Sequence, residues 1–340
     1  MNKYTDLSIE GYERVIHCEN DTVGLNAWVA VHSTKLGPAL GGCRMWNYNS
    51  ANDALNDALR LGKAMSYKNS LAGLDFGGGK ATIWGNSRTQ KTEELLEAMG
   101  ECVEYLGGTY ITAEDVGMTF DDMKIFRRKT SYIPSIVAGD PAPTTAKGVF
   151  FGIKAVCEYL GINDLVGLHV ALQGTGAVGT ALIGHLVNAG CLVTATDVNN
   201  DALYHVRDTY GVNIVDPNNI YDIECDIFSP CALGGIVNDD TVKRLKVKAV
   251  AGSANNQLED PRHAVALKEK GILYAPDYAI NAGGVILLAG ETPEGFNQKL
   301  VDEKLGNIGP TLTKIFEQSK SSDEPTTVIA DRLAEERLNR

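Results

Sequence analysis

The chain has no basic excess: 31 lysines and arginines face 43 aspartates and glutamates, for a net charge of -12. That balance argues against a nucleic-acid or anionic-membrane surface, while leaving room for a local basic pocket. No apolar run approaches the length of a membrane span, and the opening Met1-Asn2-Lys3-Tyr4-Thr5-Asp6 lacks the apolar core of a signal peptide. A soluble, cytoplasmic protein is expected. Cys-x-x-Cys pairs are also lacking. The seven cysteines are scattered and odd in number, so they read as reduced, mostly buried small hydrophobes. Cys43 and Cys231 stand in glycine-bearing segments, where packing is the simplest role. None of the six histidines falls at a metal-ligand spacing and no cysteine cluster is visible, so no metal is expected. Internal repeats and low-complexity tracts are absent.

What is present is an alternation of short apolar runs and amphipathic stretches over 340 residues, long enough for two domains with separate cores. Leu25–Val31 suits a strand, and 36–45 a glycine-rich loop or edge strand. Ala54, Leu55, Ala58, Leu59, Gly62 and Met65 recur at helical spacing over 52–67, with Lys68 just beyond. A helix over 92–106 stops at Gly107-Gly108, and a strand over 109–112 delivers Asp115. Between 131 and 145, Pro134, Gly139, Pro141 and Pro143 mark a linker, followed by a helix over 146–160. Strands are expected near 225–228, 247–251 and 272–274, a small-residue turn at 281–285, and closing helices over 297–319 and 325–340. The fold class is α/β.

The sharpest local signal begins at Leu168. A strand candidate, Leu168–Gln173, runs into Gly174-Thr175-Gly176-Ala177-Val178-Gly179, then a helix to Ala189, a second strand over 191–196, and Asp197, 23 residues after Gly174. This is a dinucleotide fingerprint in its required setting. The first glycine permits the turn, the second lets backbone approach a pyrophosphate, and the third packs helix on strand. The helix N-terminus offers amides to phosphate. Asp197 would accept from a ribose 2′-hydroxyl and repel a 2′-phosphate, which favours NAD over NADP. The loops at 229–235 and 252–256 would lie at the carboxyl ends of later strands of the same doubly wound sheet.

Hydride transfer needs groups that prepare a substrate. Gly77-Gly78-Gly79-Lys80, followed by Ala81-Thr82-Ile83-Trp84, reads as a turn that fixes a cation at the mouth of a buried strand. A desolvated lysine there would lose proton affinity and act as a base; a solvated lysine on a flexible loop fits the same residues. Lys68 would add a second cation for an anionic substrate. Asp115 would shuttle a proton, or serve only as a helix cap or turn residue.

Six motifs settle the choice by resemblance: Gly37-Pro38-Ala39-Leu40-Gly41-Gly42, Gly77-Gly78-Gly79-Lys80, Thr112-Ala113-Glu114-Asp115-Val116-Gly117, Pro230-Cys231-Ala232-Leu233-Gly234, Ser253-Ala254-Asn255-Asn256-Gln257-Leu258 and Ala275-Pro276-Asp277-Tyr278. With them the chain resembles the glutamate, leucine, valine and phenylalanine dehydrogenases, nearest the leucine/valine branch, from about Glu13 to Arg337. The resemblance implies an N-terminal substrate and oligomerisation domain (1–135), a Rossmann-type NAD domain (136–324), a cleft between them, and a final helix (325–340) returning to the first. It implies NAD-dependent, reversible oxidative deamination of leucine, valine or isoleucine to the 2-oxo acid and ammonia. A phenylalanine or other aromatic amino-acid dehydrogenase, a catalytically silent NAD-binding sensor and a hydroxy-acid dehydrogenase are the alternatives. A homo-oligomer between dimer and octamer is implied, with neither nucleic acid nor membrane as partner.

By motif position the resemblance makes Lys80 and Asp115 catalytic and sets Lys68 on the substrate carboxylate. It lines the substrate with Leu40, Gly41, Gly42, Met65, Ala113, Asn256, Val285 and Leu288. The cofactor set is Thr145, Gly174, Thr175, Gly176, Ala177, Val178, Gly179, Asp197, Val198, Cys231, Ala232, Ala254, Asn255 and Asn281. Leu40 stands where glutamate-specific relatives carry lysine, which disfavours glutamate. Ala113 fits the aliphatic branch, where aromatic-specific relatives tend to glycine. Leu287, Leu288, Cys43 and Lys147 depart from the pattern. The Gly-Gly-Gly turn would let substrate sit against bare backbone.

Overall fold

The computed structural model describes residues 1–134, 139–292 and 295–340, in two compact units: Met1–Ile136 with Ala334–Arg340, and Val137–Leu333. The expected domain boundary at 135/136 lies outside the described residues.

The first unit is one mixed sheet with helices on both faces. Its elements are β1 (Lys3–Leu7), β2 (Arg14–Asn20), β3 (Leu25–Ser33), β4 (Ala39–Trp46), α1 (Ala51–Leu71), β5 (Gly77–Trp84), α2 (Glu93–Tyr105), β6 (Tyr110–Glu114) and α3 (Phe120–Phe126). The strand order is β1-β2-β3-β5-β4-β6, antiparallel as far as β5 and parallel from β5 through β4 to β6. Strand β3 shows why: Ala27, Val29 and Val31 join one core with Met99, Cys102 and Phe126, while Trp28 and Ala30 join another with Ala54 and Ala58. A strand buried on both faces is a near-continuous apolar run. Helix α1 starts at Ser50, whose side chain accepts from the Asp53 amide.

Three expectations need correction here. The segment 36–45 is no loop or edge: β4 lies inside the sheet between β5 and β6. Lys68 lies within α1, in its last turn, rather than after it. Most telling, Gly77, Gly78 and Gly79 form no turn; they open β5 and are buried. Each lacks a side chain because protein already fills the space. A Cβ on Gly78 would overlap the Ser66 backbone of α1, and one on Gly79 would lie 2.9 Å from the Ala30 carbonyl oxygen and from the Tyr110 ring. The glycines admit a helix and neighbouring strands.

Cys18 of β2 and Cys102 of α2, both fully buried, are paired in a disulfide with their Cα atoms 6.6 Å apart. All seven cysteines were expected to be reduced. A separation of 84 residues carries no spacing signal, and only the packing of α2 on the sheet brings the two together.

The second unit runs α4 (Pro141–Tyr159), β7 (His169–Gln173), α5 (Ala177–Asn188), β8 (Leu192–Thr196), α6 (Asn200–Tyr210), β9 (Asn213–Ile214), β10 (Ile227–Pro230), α7 (Thr241–Arg244), β11 (Ala249–Val250), α8 (Arg262–Glu269) and β12 (Leu273–Tyr274). There follow α9 (Asp277–Ile280), α10 (Gly283–Ala289), β13 (Glu291–Thr292), β14 (Gly295–Phe296), α11 (Gln298–Gly306), α12 (Ile308–Ser322) and α13 (Thr326–Leu338), whose residues from Ala334 count with the first unit. The six-stranded sheet is parallel throughout, in the order β12-β11-β10-β7-β8-β9. The order reverses between β7 and β10, so the loops after those strands form the crevice where doubly wound sheets bind ligands. Pro141 and Pro143, read as linker, instead sit in the first turn of α4, capped by Asp140. Proline suits that position because its missing N–H would have no partner there. Thr145 is therefore helical. Among the described residues no helix is long and apolar enough to cross a membrane.

Candidate active site and cofactor cradle

In the first unit, adjacent parallel strands bring the predicted chemistry to one place. Lys80 lies on β5, Gly42 on β4, and Asp115 directly after β6. Gly42 pairs with Ala113 across β4 and β6, and its missing side chain lets Asp115 fold back over β4. A Cβ on Gly42 would lie 2.7 Å from the Glu114 carbonyl oxygen and 2.8 Å from the Asp115 Cβ. Asp115 Oδ2 thereby reaches Lys80 Nζ at 3.1 Å. The Tyr110 hydroxyl donates to the carbonyls of Gly41 and Gly42, 3.1 and 3.0 Å away, which fixes β4 beneath the pair.

Lys80 is only 5% exposed. Burial lowers its proton affinity, Asp115 pulls it back up, and the Arg44 charge lowers it again; the net shift is downward. Burial works against the Asp115 carboxylate, yet Lys80 and Arg44 together outweigh it and hold its carboxyl group below the usual range. A lysine that gives up its proton more readily than usual beside an ionised carboxylate is an arrangement suited to acid–base chemistry.

Around it stand the other predicted substrate residues of this unit. Leu40 is buried on β4, and Met65 of α1 packs where a Gly41 side chain would point, its Cγ 3.4 Å from that position. Lys68 lies one helical turn beyond Met65, and Ala113 is half-buried on β6. Cys43 is fully buried, and burial drives its thiol far above the ordinary range, so the departure there is inert.

Sequence reasoning missed Arg44. Its Nε donates to Asp115 Oδ2 at 2.7 Å and its Nη1 to Asp57 Oδ2 at 3.0 Å. Tyr48 and Arg60 also donate to Asp57, each at 2.7 Å. The available signal was a charged residue directly after Gly41-Gly42-Cys43, inside an otherwise apolar strand.

The second unit holds the predicted cofactor residues. Gly174 leaves β7 at φ +100°, and a Cβ there would lie 2.7 Å from the Ala232 Cβ, so the loops after β7 and β10 meet at Gly174, Cys231 and Ala232. Gly176 caps α5, and nothing lies within 4 Å of where its Cβ would be. Ala177, Val178 and Gly179 open that helix, and a Cβ at Gly179 would overlap the Gly174 carbonyl. Asp197 Oδ2 accepts from the Thr175 amide and hydroxyl at 2.6 and 3.1 Å, and its Oδ1 from the Asn199 amide at 2.8 Å. Val198, beside it, is 89% exposed.

Across the crevice, Ala254 is held by the Pro230 carbonyl at 2.9 Å, and the Asn281 amide nitrogen donates to the Ser253 carbonyl at 3.1 Å and to Asn255 Oδ1 at 2.8 Å. Asn281 Oδ1 is buried and has no hydrogen-bond partner among the described residues. A buried acceptor left unmade is costly, so it fits an incoming donor such as a carboxamide. Thr145 touches the start of α10: a Cβ on Gly283 would lie 2.5 Å from its Cα. The open cradle at Gly176 and this orphaned oxygen fit a nicotinamide dinucleotide. Asn256, at φ +52°, donates its amide to Asp277. Val285 and Leu288, three residues apart on α10, share a half-buried face, whereas Leu287 is a core residue at 5% exposure. Lys147 pairs with Asp302 at 2.8 Å.

The comparisons with known proteins agree with this picture. The dimerisation domain of the Glu/Leu/Phe/Val dehydrogenases matches residues 12–132, and the Glutamate/Leucine/Phenylalanine/Valine dehydrogenase domain matches 140–337. The chain is 48% identical to a leucine dehydrogenase of Geobacillus stearothermophilus, over 99% of this chain and 94% of that protein. It is 44% identical to a phenylalanine dehydrogenase of Bacillus thermotolerans, over 96% of this chain and 88% of that one. The crystal structure of L-tryptophan dehydrogenase from Nostoc punctiforme superposes with a TM-score of 0.85 at 41% identity, covering 97% of this chain and 96% of that one.

Proposed function

The chain belongs to the Glu/Leu/Phe/Val dehydrogenase family, and on that premise we propose that it catalyses the NAD-dependent, reversible oxidative deamination of a branched-chain L-amino acid (leucine, valine or isoleucine) to its 2-oxo acid and ammonia. It is an amino-acid dehydrogenase acting on a CH–NH2 group. The observation that carries the reading is the buried Lys80 beside Asp115, at 3.1 Å. Leu40, buried and apolar where a lysine would serve an acidic side chain, supports an aliphatic substrate. So does the higher identity to leucine dehydrogenases, 48% against 44% for a phenylalanine dehydrogenase.

The cofactor would rest on Gly174 to Gly179, with Asp197 toward the adenosine ribose and Thr145, Asn255 and Asn281 toward the nicotinamide. When bound, it would supply the hydride acceptor for oxidation at the substrate Cα. The chain's own residues then carry the rest. Lys68 binds the substrate carboxylate. Lys80, unprotonated, removes a proton from water as that water adds to the oxidised carbon. Asp115 moves a proton at the departing nitrogen, so ammonia leaves and the 2-oxo acid remains. Asp197, an acceptor carboxylate directly after β8, supports NAD over NADP.

The match to a dimerisation domain supports a homo-oligomer, which a native mass measurement would size. The substrates are small soluble metabolites, which suits a cytoplasmic enzyme. An aromatic amino acid is the second reading, favoured by the likeness to the tryptophan dehydrogenase structure. Side-chain discrimination in an apolar pocket is worth about 1–3 kcal/mol per methylene, so the aliphatic substrates should differ modestly.

The test is Lys80→Ala, assayed by NADH absorbance across leucine, valine, isoleucine, phenylalanine and tryptophan. Loss of a general base should cost about 10²–10⁴-fold in turnover, with NAD binding retained. Turnover near that of the parent would remove Lys80 from the mechanism, and a preference for aromatic substrates would replace the substrate reading. A parent that binds NAD but oxidises nothing would make the chain a sensor.

A further inference from the structure

Lys80 and Asp115 do not stand alone. Both Lys80 Nζ and Arg44 Nε bond to the same oxygen, Asp115 Oδ2, at 3.1 and 2.7 Å. The two cations therefore lie within about 6 Å of each other, close enough for each to resist the other's charge. Arg44 is in turn clamped from behind: Asp57 on α1 accepts from Arg44, from Tyr48 and from Arg60. Side-chain exposures of 20% for Arg44, 14% for Asp57 and 22% for Asp115 limit screening of these inner charges, while Arg60, at 53%, stands in solvent. The charges alternate along a line: Lys80, Asp115, Arg44, Asp57, Arg60.

We propose that Arg44 is a positioning residue for the Lys80–Asp115 pair: it holds Asp115 in one orientation and supplies the second positive charge that lets Lys80 stand beside a carboxylate without keeping a proton. This rests on the proposed role of Lys80 as the base. The logic is one of competition on one oxygen. Alone with Lys80, Asp115 would form a closed ion pair, and a lysine in such a pair is a poor base. Arg44 stays charged at any working pH and occupies that same oxygen. It cancels much of the field Asp115 would exert on Lys80 and adds repulsion of its own. Asp57 sets how much of Arg44's charge is left to do so, since it neutralises the guanidinium from the far side.

The groups that bear on Lys80 are Asp115 after β6 and Arg44 and the Cys43 thiol from β4; Asp57 of α1 reaches the array through Arg44, and the Tyr110 phenol of β6 is held by the Gly41 and Gly42 carbonyls. Of these, Arg44 acts on the shared Asp115 oxygen and by its own charge, Asp57 acts through Arg44, and both lie outside the assigned substrate contacts. Their removal should move Lys80 in opposite directions, which a merely structural role would not do.

The experiment is the pH profile of kcat/KM for leucine oxidation in the full-length enzyme, compared among the parent, Arg44→Gln, Arg44→Lys and Asp57→Asn. Activity should rise with pH as Lys80 loses its proton. In Arg44→Gln that rise should move to higher pH by about 1–3 units, the effect of one nearby charge. Arg44→Lys, which keeps the charge but cannot span both carboxylates, should leave the rise near the parent position and lower kcat. Asp57→Asn should move it to lower pH. Should Arg44→Gln fail to fold, the Asp57→Asn and Arg44→Lys profiles still decide. A rise that coincides with the parent in Asp57→Asn, or moves up in it, overturns the proposal, as does an unmoved rise in a folded Arg44→Gln. A parent that shows no amino-acid oxidation at any pH overturns the functional reading instead.

Discussion

Replacing Gly42 by alanine probes how the backbone builds the Lys80–Asp115 pair, because it adds one methyl group where Asp115 crosses β4. The added Cβ would lie 2.7 Å from the Glu114 carbonyl oxygen and 2.8 Å from the Asp115 Cβ, whereas ordinary contact begins at 3.4 Å. Neither neighbour is the flexible end of a long side chain, so the chain at Glu114 and Asp115 must retreat by roughly 0.6 Å. Added to present separations of 3.1 Å to Lys80 and 2.7 Å to Arg44, that retreat breaks the first bond and strains the second. Overpacking of this size costs about 1–3 kcal/mol, and misplacing a reacting group by about 1 Å costs about 10²-fold in rate. We therefore expect Gly42→Ala to fold with a lowered melting temperature and to lose about 10- to 100-fold in kcat. Its affinity for NAD, measured by titration of tryptophan fluorescence, should match the parent, because every assigned cofactor residue lies in the second unit. A folded Gly42→Ala enzyme with parental kcat would show that Asp115 does not need this approach across β4, and the account of the pair would fail.

Two further outcomes follow from the same geometry. Gly176→Ala meets nothing within 4 Å, so its melting temperature should change little while the KM for NAD rises, the new methyl group occupying space kept for the pyrophosphate; an unchanged KM would displace the cradle from this loop. Lys80→Met should make the protein more stable at neutral pH and flatten its stability–pH curve. Lys80 in the folded chain sheds its proton below the ordinary 10.5, so between those two values the unfolded chain binds the extra proton and stability rises with pH. Chemical denaturation of the parent and Lys80→Met at pH 7 and pH 10 measures this, and identical slopes would mean that Lys80 titrates normally.

The second unit was largely legible in the sequence because its signals are local. The run from His169 to Asp197 carries strand, turn glycines, helix and terminal acid within one βαβ unit, and the structure folds it so. The first unit was legible in its strands and helices but not in their arrangement. Glycine has the highest backbone freedom, so three in a row read as a turn. In the structure they form a strand, because the Ser66 backbone of α1 fills the space at Gly78 while Ser33 crowds Gly77 and Ala30 and Tyr110 crowd Gly79. That is a tertiary fact with no local trace. The same holds for Cys18 and Cys102, joined across 84 residues. Pro141 and Pro143 misled in the opposite sense: proline breaks a helix interior but begins one readily, and Asp140 supplies the cap that the reading lacked.

One feature of the first sheet shapes the Lys80–Asp115 pair, the row of glycines on β5 and β4. Gly79, Gly41 and Gly42 carry no side chains, so Tyr110 can reach two β4 carbonyls and Asp115 can cross β4 to Lys80. A site made of loops would leave a lysine and a carboxylate free to choose their partners. Here the lysine is fixed by a buried strand, the carboxylate by an arginine on the next strand, and that arginine by Asp57 on the helix above. The strand therefore does what the expected turn could not. It holds Lys80 in a buried position that lowers its hold on a proton, next to a carboxylate whose pull Arg44 opposes. The glycines let neighbouring backbone and side chains come close.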